Sequence, residues 1–286
     1  MKLAIGSAQF GLRYGLSGNQ VEAAEAAMIV KQAWSAGIDT LDTAIDYGES
    51  ERVLGHIGVA DWRIVSKLPG LPNLVTDVES WVDAAIRGSL DRLRVKCLYG
   101  FLLHRPLDLL GAYGADIYRS LCRAKEMGKI GKIGISIYDT AELDALLHLF
   151  PIDLVQAPFN VVDRRLAVSG WLSRLHSSGI EVHVRSIFLQ GALLKARQSI
   201  PAMFAAHRSK WEAWHDFLQD HNVSAVQACL GFVKKFPEIQ RIVVGIESYR
   251  QLQDLLLVAD SSVYDVPVEI SSNDMNLINP TFWTSK

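Results

Sequence analysis

Short runs of apolar, β-branched residues alternate along the whole chain with longer segments in which apolar residues recur every three or four positions. The short runs predict strands over 3–9, 38–43, 62–67, 97–103, 131–137, 153–157, 180–187 and 241–245. Between them, one-faced helical spacing is carried by Val78, Val82, Ile86, Leu90 and Leu93, and by Leu143, Leu146, Leu147 and Phe150. The same spacing recurs in Val168, Trp171, Leu172 and Leu175, in Ala225, Cys229, Phe232 and Phe236, and in Leu252, Leu255, Leu256 and Ala259. Gly128 and Gly179 stand where left-handed caps end helices before strands. Eight strand–helix units predict an α/β fold, a single (β/α)8 TIM barrel domain over residues 1–286. An open, doubly wound sheet has the same alternation.

Composition narrows the picture. The chain has 286 residues, 49% of them hydrophobic, and a formal net charge of -2, with Lys and Arg scattered rather than gathered in a stripe. No nucleic-acid partner is expected. No segment reaches the ~20 apolar residues that a membrane helix needs, and Met1–Gly6 reads as a strand start rather than a signal peptide. Cys97, Cys122 and Cys229 are widely spaced and odd in number, so they are expected as reduced core thiols. A cytoplasmic location follows as an expectation. The chain lacks G-x-G-x-x-G after the first strand, a phosphate loop, a G-x-S-x-G elbow, H-E-x-x-H and C-x-x-C. Metal chemistry and acyl transfer are therefore not expected, and no metal ligand set is assigned.

On a barrel, chemistry sits at the C-terminal strand ends. Those ends carry Asp42 and Tyr47 after the second strand, Lys67 on the third, His104 and Arg105 after the fourth, and Ser136 on the fifth. Singly, Asp42 reads also as a turn cap, Tyr47 as a loop aromatic and His104 as a core histidine. Together they suit proton delivery. A phenol is a poor acid at neutral pH, and an adjacent lysine held by an aspartate is expected to lower its pKa. Tyrosine then gives a proton to a carbonyl oxygen as hydride reaches the carbon, with histidine bonding that oxygen.

These residues, in this order, resemble the aldo-keto reductase superfamily. The resemblance rests on Ile5-Gly6-Ser7-Ala8-Gln9-Phe10-Gly11, on Asp42-Thr43-Ala44 through Tyr47-Gly48, on Lys67, and on Leu103-His104-Arg105-Pro106. It implies a catalytic tetrad of Asp42, Tyr47, Lys67 and His104, with Tyr47 as the acid. It also implies a nicotinamide cofactor, NADP(H) in most members and NAD(H) in others. Residues expected to hold that cofactor are Gly6, Ser7, Ala8, Asp42, Ser136, Gln156, Arg185, Ser186, Phe188, Gln190 and Gly191. Gly245, Ser248, Arg250, Gln251 and Asp254 are expected at its adenosine end. Ile137 stands where the family usually has Asn, Arg185 where an aromatic often stacks, and Gly245 and Gln251 where many NADP-preferring members have Lys and Arg. Ser248 and Arg250 suit a 2′-phosphate, or Ser248 simply caps a helix, while Glu247 repels such a group.

A small-molecule carbonyl is the expected partner. Tyr14, Tyr47, His104, Arg105, Phe188 and the tail around Phe282 and Trp283 are candidates for its pocket. The first-strand and Arg185–Gly191 segments are similar to those of bacterial members linked with sugar metabolism, which implies a sugar-derived carbonyl. The alternatives are a nucleotide-binding regulatory subunit with slow or dispensable turnover, and a lyase or isomerase that uses the cofactor transiently.

Overall fold

Each of the eight apolar runs folds as a parallel strand, and the last pairs with the first. The computed structural model describes residues 2–260 and 262–283. Its strands are β1 (Leu3–Gly6), β2 (Thr40–Asp42), β3 (Arg63–Leu68), β4 (Gly100–Leu103), β5 (Ile133–Ser136), β6 (Leu154–Pro158), β7 (Glu181–Arg185) and β8 (Arg241–Gly245). They form a closed barrel in sequence order, so the sheet has no free edge. This is the (β/α)8 TIM barrel that the alternation predicts.

Side chains on a strand alternate between its two faces, and here the faces differ in chemistry. Outward residues such as Leu3, Ile5, Leu41, Ile64, Phe101, Ile135, Val155, Val182 and Val244 join the large core shared with the helices. Inward, Val65, Leu102 and Leu154 form a separate small apolar layer, with Tyr99 packed against it. Gly134 completes that layer by having no side chain: a Cβ there would lie 2.6 Å from the Leu154 carbonyl oxygen and 2.9 Å from Leu102 Cγ. The same parity places Asp42, Lys67, His104, Ser136, Gln156 and Arg185 above this layer, and Lys132, Glu181 and Arg241 below it.

The surrounding helices bury the stripes that their spacing predicts. Val78–Leu93 buries Val78, Val82, Ile86 and Leu93, and its first turn is capped by Asp77, whose Oδ1 accepts from Ser80 N at 3.0 Å. Ala225–Lys234 begins with a Ser224/Gln227 capping box. Gly128 and Gly179 take positive φ as anticipated.

Some boundaries differ from expectation. β1 stops at Gly6 because residues Ala8–Gly11 turn into a short helix, and β7 stops at Arg185 because Ser186 has φ +59°. Gly170, also left-handed, separates Arg165–Val168 from Trp171–Ser177, so Val168 is exposed rather than on the buried stripe. Leu147 and Phe150 lie beyond the helix Ala141–Leu146, and Phe236 lies beyond Lys234. Of the cysteines only Cys229 is a core thiol, while Cys97 is exposed and Cys122 half-buried. The helix Arg208–Asp220, which buries Trp211, Trp214 and Phe217, was absent from the predicted elements.

Candidate active site

A buried ion pair founds the site. Gly6 and Asp42 are in register across β1 and β2, which brings Asp42 to the mouth beside β3. Lys67 donates to Asp42 Oδ2 at 2.7 Å and to the Thr43 carbonyl at 2.9 Å, with side-chain exposures of 0% for Lys67 and 5% for Asp42. From β6, Gln156 Nε2 donates to the other Asp42 oxygen at 2.6 Å. The β2 end is fixed from behind by buried hydroxyls: Ser7 Oγ donates to the Asp42 carbonyl at 2.9 Å, and Ser50 Oγ lies 2.7 Å from Ser7 Oγ and 3.1 Å from Thr43 Oγ1. Such a pair in a low-dielectric interior needs this saturation with hydrogen bonds.

Tyr47 closes over the pair. Lys67 Nζ is 5.0 Å from the Tyr47 ring centroid, and the His104 ring meets that ring edge-on at 5.9 Å. Tyr47 can come in this far because Gly11 and Gly48 bring two backbones together. A Cβ on Gly11 would sit 1.8 Å from the Tyr47 carbonyl oxygen, and Gly48 has φ +56°. His104 Nδ1 lies 3.3 Å from Asp46 Oδ2. Tyr14 stands beside Tyr47, with ring centroids 6.5 Å apart.

Electrostatics set the protonation of each group. Burial, then the Asp42 charge, pushes the Tyr47 phenol well above its ordinary value. The expected lowering of this pKa by Lys67 is therefore reversed, because Asp42 neutralises the ammonium at contact while burial disfavours a phenolate. Burial also draws Lys67 below its ordinary value, against the pull of Asp42. Burial and the Lys67 charge lower His104 to about 4, opposed by Asp46. Both Tyr47 and His104 are thus uncharged at neutral pH.

A cavity of about 290 Å³ runs from Asp42 and Tyr47 towards the loop after β8. Gly6, Ser7, Ala8, Asp42, Arg185, Ser186, Phe188, Gln190, Gly191, Gly245, Gln251 and Asp254 line it, as do Tyr14 and Tyr47. Ser136 and Gln156 are buried in the barrel mouth, in register with each other, and do not line this cavity. Arg185 reaches across the mouth: its Nη2 donates to the Ile137 carbonyl at 2.9 Å, and its guanidinium lies 4.3 Å from the Tyr138 ring centroid.

Four further candidates stand apart from this lining. Ser248 Oγ accepts from Gln251 N at 3.1 Å as an ordinary helix cap. Arg250 is exposed, and Arg105, also exposed, sits against Gly70. His104 meets the site through Tyr47. The tail is not part of the cavity either, since Trp283 packs on Phe204 and Phe282 is exposed.

Three features had no place among the expected site residues. Asp46 braces His104, Tyr138 carries Arg185, and Glu247 clasps the loop after β1. Glu247 Oε1 accepts from Gln9 Nε2 at 3.1 Å and Ser17 Oγ at 2.8 Å, and Oε2 accepts from Asn19 Nδ2 at 3.3 Å. On the other side, Leu16 N donates to the Gln190 carbonyl at 3.4 Å, so residues 14–19 form a strap across the cavity. Ser17 and Asn19, polar residues two and four positions past the turn glycine Gly15, were the one available signal. No metal-binding cluster of His, Cys, Asp or Glu occurs among the described residues, and no described helix is long and apolar enough to cross a membrane.

Comparison with known proteins agrees with this construction. A 6-dehydroglucose reductase of Novosphingobium aromaticivorans is 32% identical over 161 residues, which are 51% of this chain and 52% of that protein. The chain thus spans about half the length of that curated relative. A glyoxal reductase of Bacillus subtilis is 26% identical over 89% of this chain and 83% of its own. Among solved structures, an aldo-keto reductase of Bacillus halodurans superposes with a TM-score of 0.73 at 18% identity, covering 92% of this chain and 88% of that one, a likeness of fold. The family model described as the Aldo/keto reductase family matches residues 2–266, nearly the whole span, and the chain belongs to that family.

Proposed function

We propose that this protein is a cytoplasmic, nicotinamide-dependent reductase that converts an aldehyde or ketone to an alcohol, with residues 1–286 acting as one catalytic domain. The observation that carries the reading is Tyr47 held over the buried Lys67–Asp42 pair at the inner end of an elongated cavity. A second observation supports the cofactor. Gln156 Oε1 is buried with no hydrogen-bond partner among the described residues, while its amide nitrogen is fixed on Asp42. An acceptor left open beside Ser136 fits the N–H donor of a carboxamide. Ser136 and Gln156 would hold the nicotinamide amide, and the residues from Arg185 to Gly191 would follow the bridging phosphates. When bound, the reduced nicotinamide supplies hydride. The family resemblance on its own points to NADP(H).

In this reading Tyr47 donates its proton to the carbonyl oxygen. Its raised pKa keeps the phenol protonated in the resting site, which is the form that reduction needs. As the proton leaves, negative charge develops on the Tyr47 oxygen. Lys67 has three N–H groups, two of them engaged by Asp42 and Thr43, and the third is available to that oxygen. Asp42 keeps the ammonium charged and in place. Neutral His104 carries a single N–H; in the Nε2–H tautomer it donates this to the substrate oxygen without competing as an acid. A sugar-derived carbonyl is the proposed substrate class, in keeping with the relative named for 6-dehydroglucose.

The test is a panel of carbonyl compounds with NADH and NADPH, followed by absorbance, with the Tyr47→Phe protein in parallel. Turnover that disappears in the variant supports the assignment. Equal turnover by both proteins would sink Tyr47 as the acid. Nucleotide binding with no turnover on any carbonyl would favour a regulatory role.

A further inference from the structure

We infer that the outer end of the cavity selects NAD(H) over NADP(H), with Glu247 as the selecting residue. The inference rests on the nicotinamide-dependent reading above and reverses the preference that the family resemblance alone implies.

The hydride must be delivered beside Tyr47, so the nicotinamide half occupies the inner end of the cavity. The second nucleoside then lies towards the loop after β8. NAD and NADP differ only by a phosphate on the 2′-oxygen of that nucleoside, a group of about -1.5 to -2 charge at neutral pH, as for other phosphate monoesters. The charges lining this end are those of Glu247 and Asp254, and no Lys or Arg lines it among the described residues. Arg185, the one cation of the lining, is held at the inner end by Ile137 and Tyr138.

A helix N-terminus usually welcomes phosphate through free backbone N–H groups. The helix Tyr249–Leu257 begins here, but two of its first-turn donors, those of Tyr249 and Gln251, are occupied. Tyr249 N donates to the Glu25 carboxylate at 2.6 Å, Gln251 N to Ser248 Oγ at 3.1 Å, and just ahead of the helix Glu247 N donates to Gln251 Oε1 at 2.8 Å. Glu25 thus adds a third carboxylate to the region that a 2′-phosphate would enter.

Glu247 is also built to do the opposite task. Its carboxylate accepts from Gln9, Ser17 and Asn19, all neutral donors that fix its position without cancelling its charge. A carboxylate offers about four acceptor sites, so about one remains open. A ribose 2′-hydroxyl can donate to that site, whereas a 2′-phosphate has only like charge to bring.

Direct titration tests this by quenching of intrinsic tryptophan fluorescence, with NADH and NADPH in separate runs. NADH is expected to bind at least about tenfold more tightly at low salt, and the gap is expected to narrow at high ionic strength as the repulsion is screened. Glu247→Gln keeps the shape and loses the charge, so it should bring NADPH several-fold closer to NADH; Asp254→Asn should do so to a smaller degree. NADPH binding as tightly as NADH in the unmodified protein would overturn the inference and leave the reductase reading intact. Failure of both nucleotides to bind would overturn the reductase reading and the preference with it.

Discussion

The two ends of the barrel hold buried polar networks of opposite character. At the N-terminal end, Glu181 accepts from Tyr99 at 2.7 Å, from His183 at 2.7 Å and from Lys132, so its charge is surrounded by donors. Burial alone would raise the Glu181 pKa, but the bonds from His183, Lys132 and Tyr99 outweigh it and hold the carboxyl far below the usual range. At the C-terminal end, the pair Lys67–Asp42 is more deeply buried, and its surroundings keep unused capacity: a third lysine N–H, the Gln156 oxygen, and a phenol pushed up by burial. A carboxylate saturated with donors stabilises the fold. A buried pair that keeps a lysine N–H in hand beside a protonated phenol is prepared for proton transfer.

Substitutions at each end should separate these roles. Lys67→Met has the largest expected effect, because it strands Asp42 as an unpaired buried charge; a loss of roughly 3–5 kcal/mol in urea unfolding is expected, together with loss of turnover. Next, Tyr47→Phe should lower turnover by ~10²–10⁴ while nucleotide affinity, read by fluorescence, hardly moves. A third test lies at the other end. Glu181→Gln should cost about 1–3 kcal/mol of stability with turnover unchanged, since it removes the charge that these donors surround. The depressed Glu181 pKa stabilises the fold above the unfolded value of 4.5, so the gap between the two proteins should close as pH falls below 4.5.

The smallest effect concerns His104. Its folded value of about 4 lies below the unfolded 6.5, so the unfolded chain binds the extra proton first and stability falls as pH drops through this window. Replacing His104 with Gln should flatten the stability profile between pH 6.5 and 4. The rate of the unmodified enzyme should show no acid limb near 6.5, and a limb there would contradict a neutral His104.

Much of this was legible in the chain. All eight strands follow from apolar runs because each is buried on its outward face. The mouth residues follow because Asp42, Lys67 and His104 interrupt or end such runs. What periodicity misses is chemistry made by loops folding back. The Glu247 clasp joins positions more than 200 apart in sequence, and the Ser7–Ser50–Thr43 hydroxyl cluster needs three segments to meet. The direction of the Tyr47 pKa differs from expectation for a related reason: residue types pair Lys67 with Asp42, but only the fold shows how deeply the phenol itself is buried. The helix Arg208–Asp220 did carry a signal, in Trp211, Trp214 and Phe217, placed where a strand–helix alternation expects one helix rather than two.

Strand β7 contributes Glu181 to the network at one end and Arg185 to the mouth at the other, with buried His183 between them. Val182 and Val184 fill the alternate positions and face the helices. An insertion or deletion of one residue within this strand would put the residues on its two sides out of phase, turning polar groups into the outer core or a valine into the barrel. A one-residue insertion or deletion within β7 should therefore damage the fold and the mouth together. The strand should accumulate substitutions without ever changing its length, a pattern that a deep library of insertions and deletions would display directly.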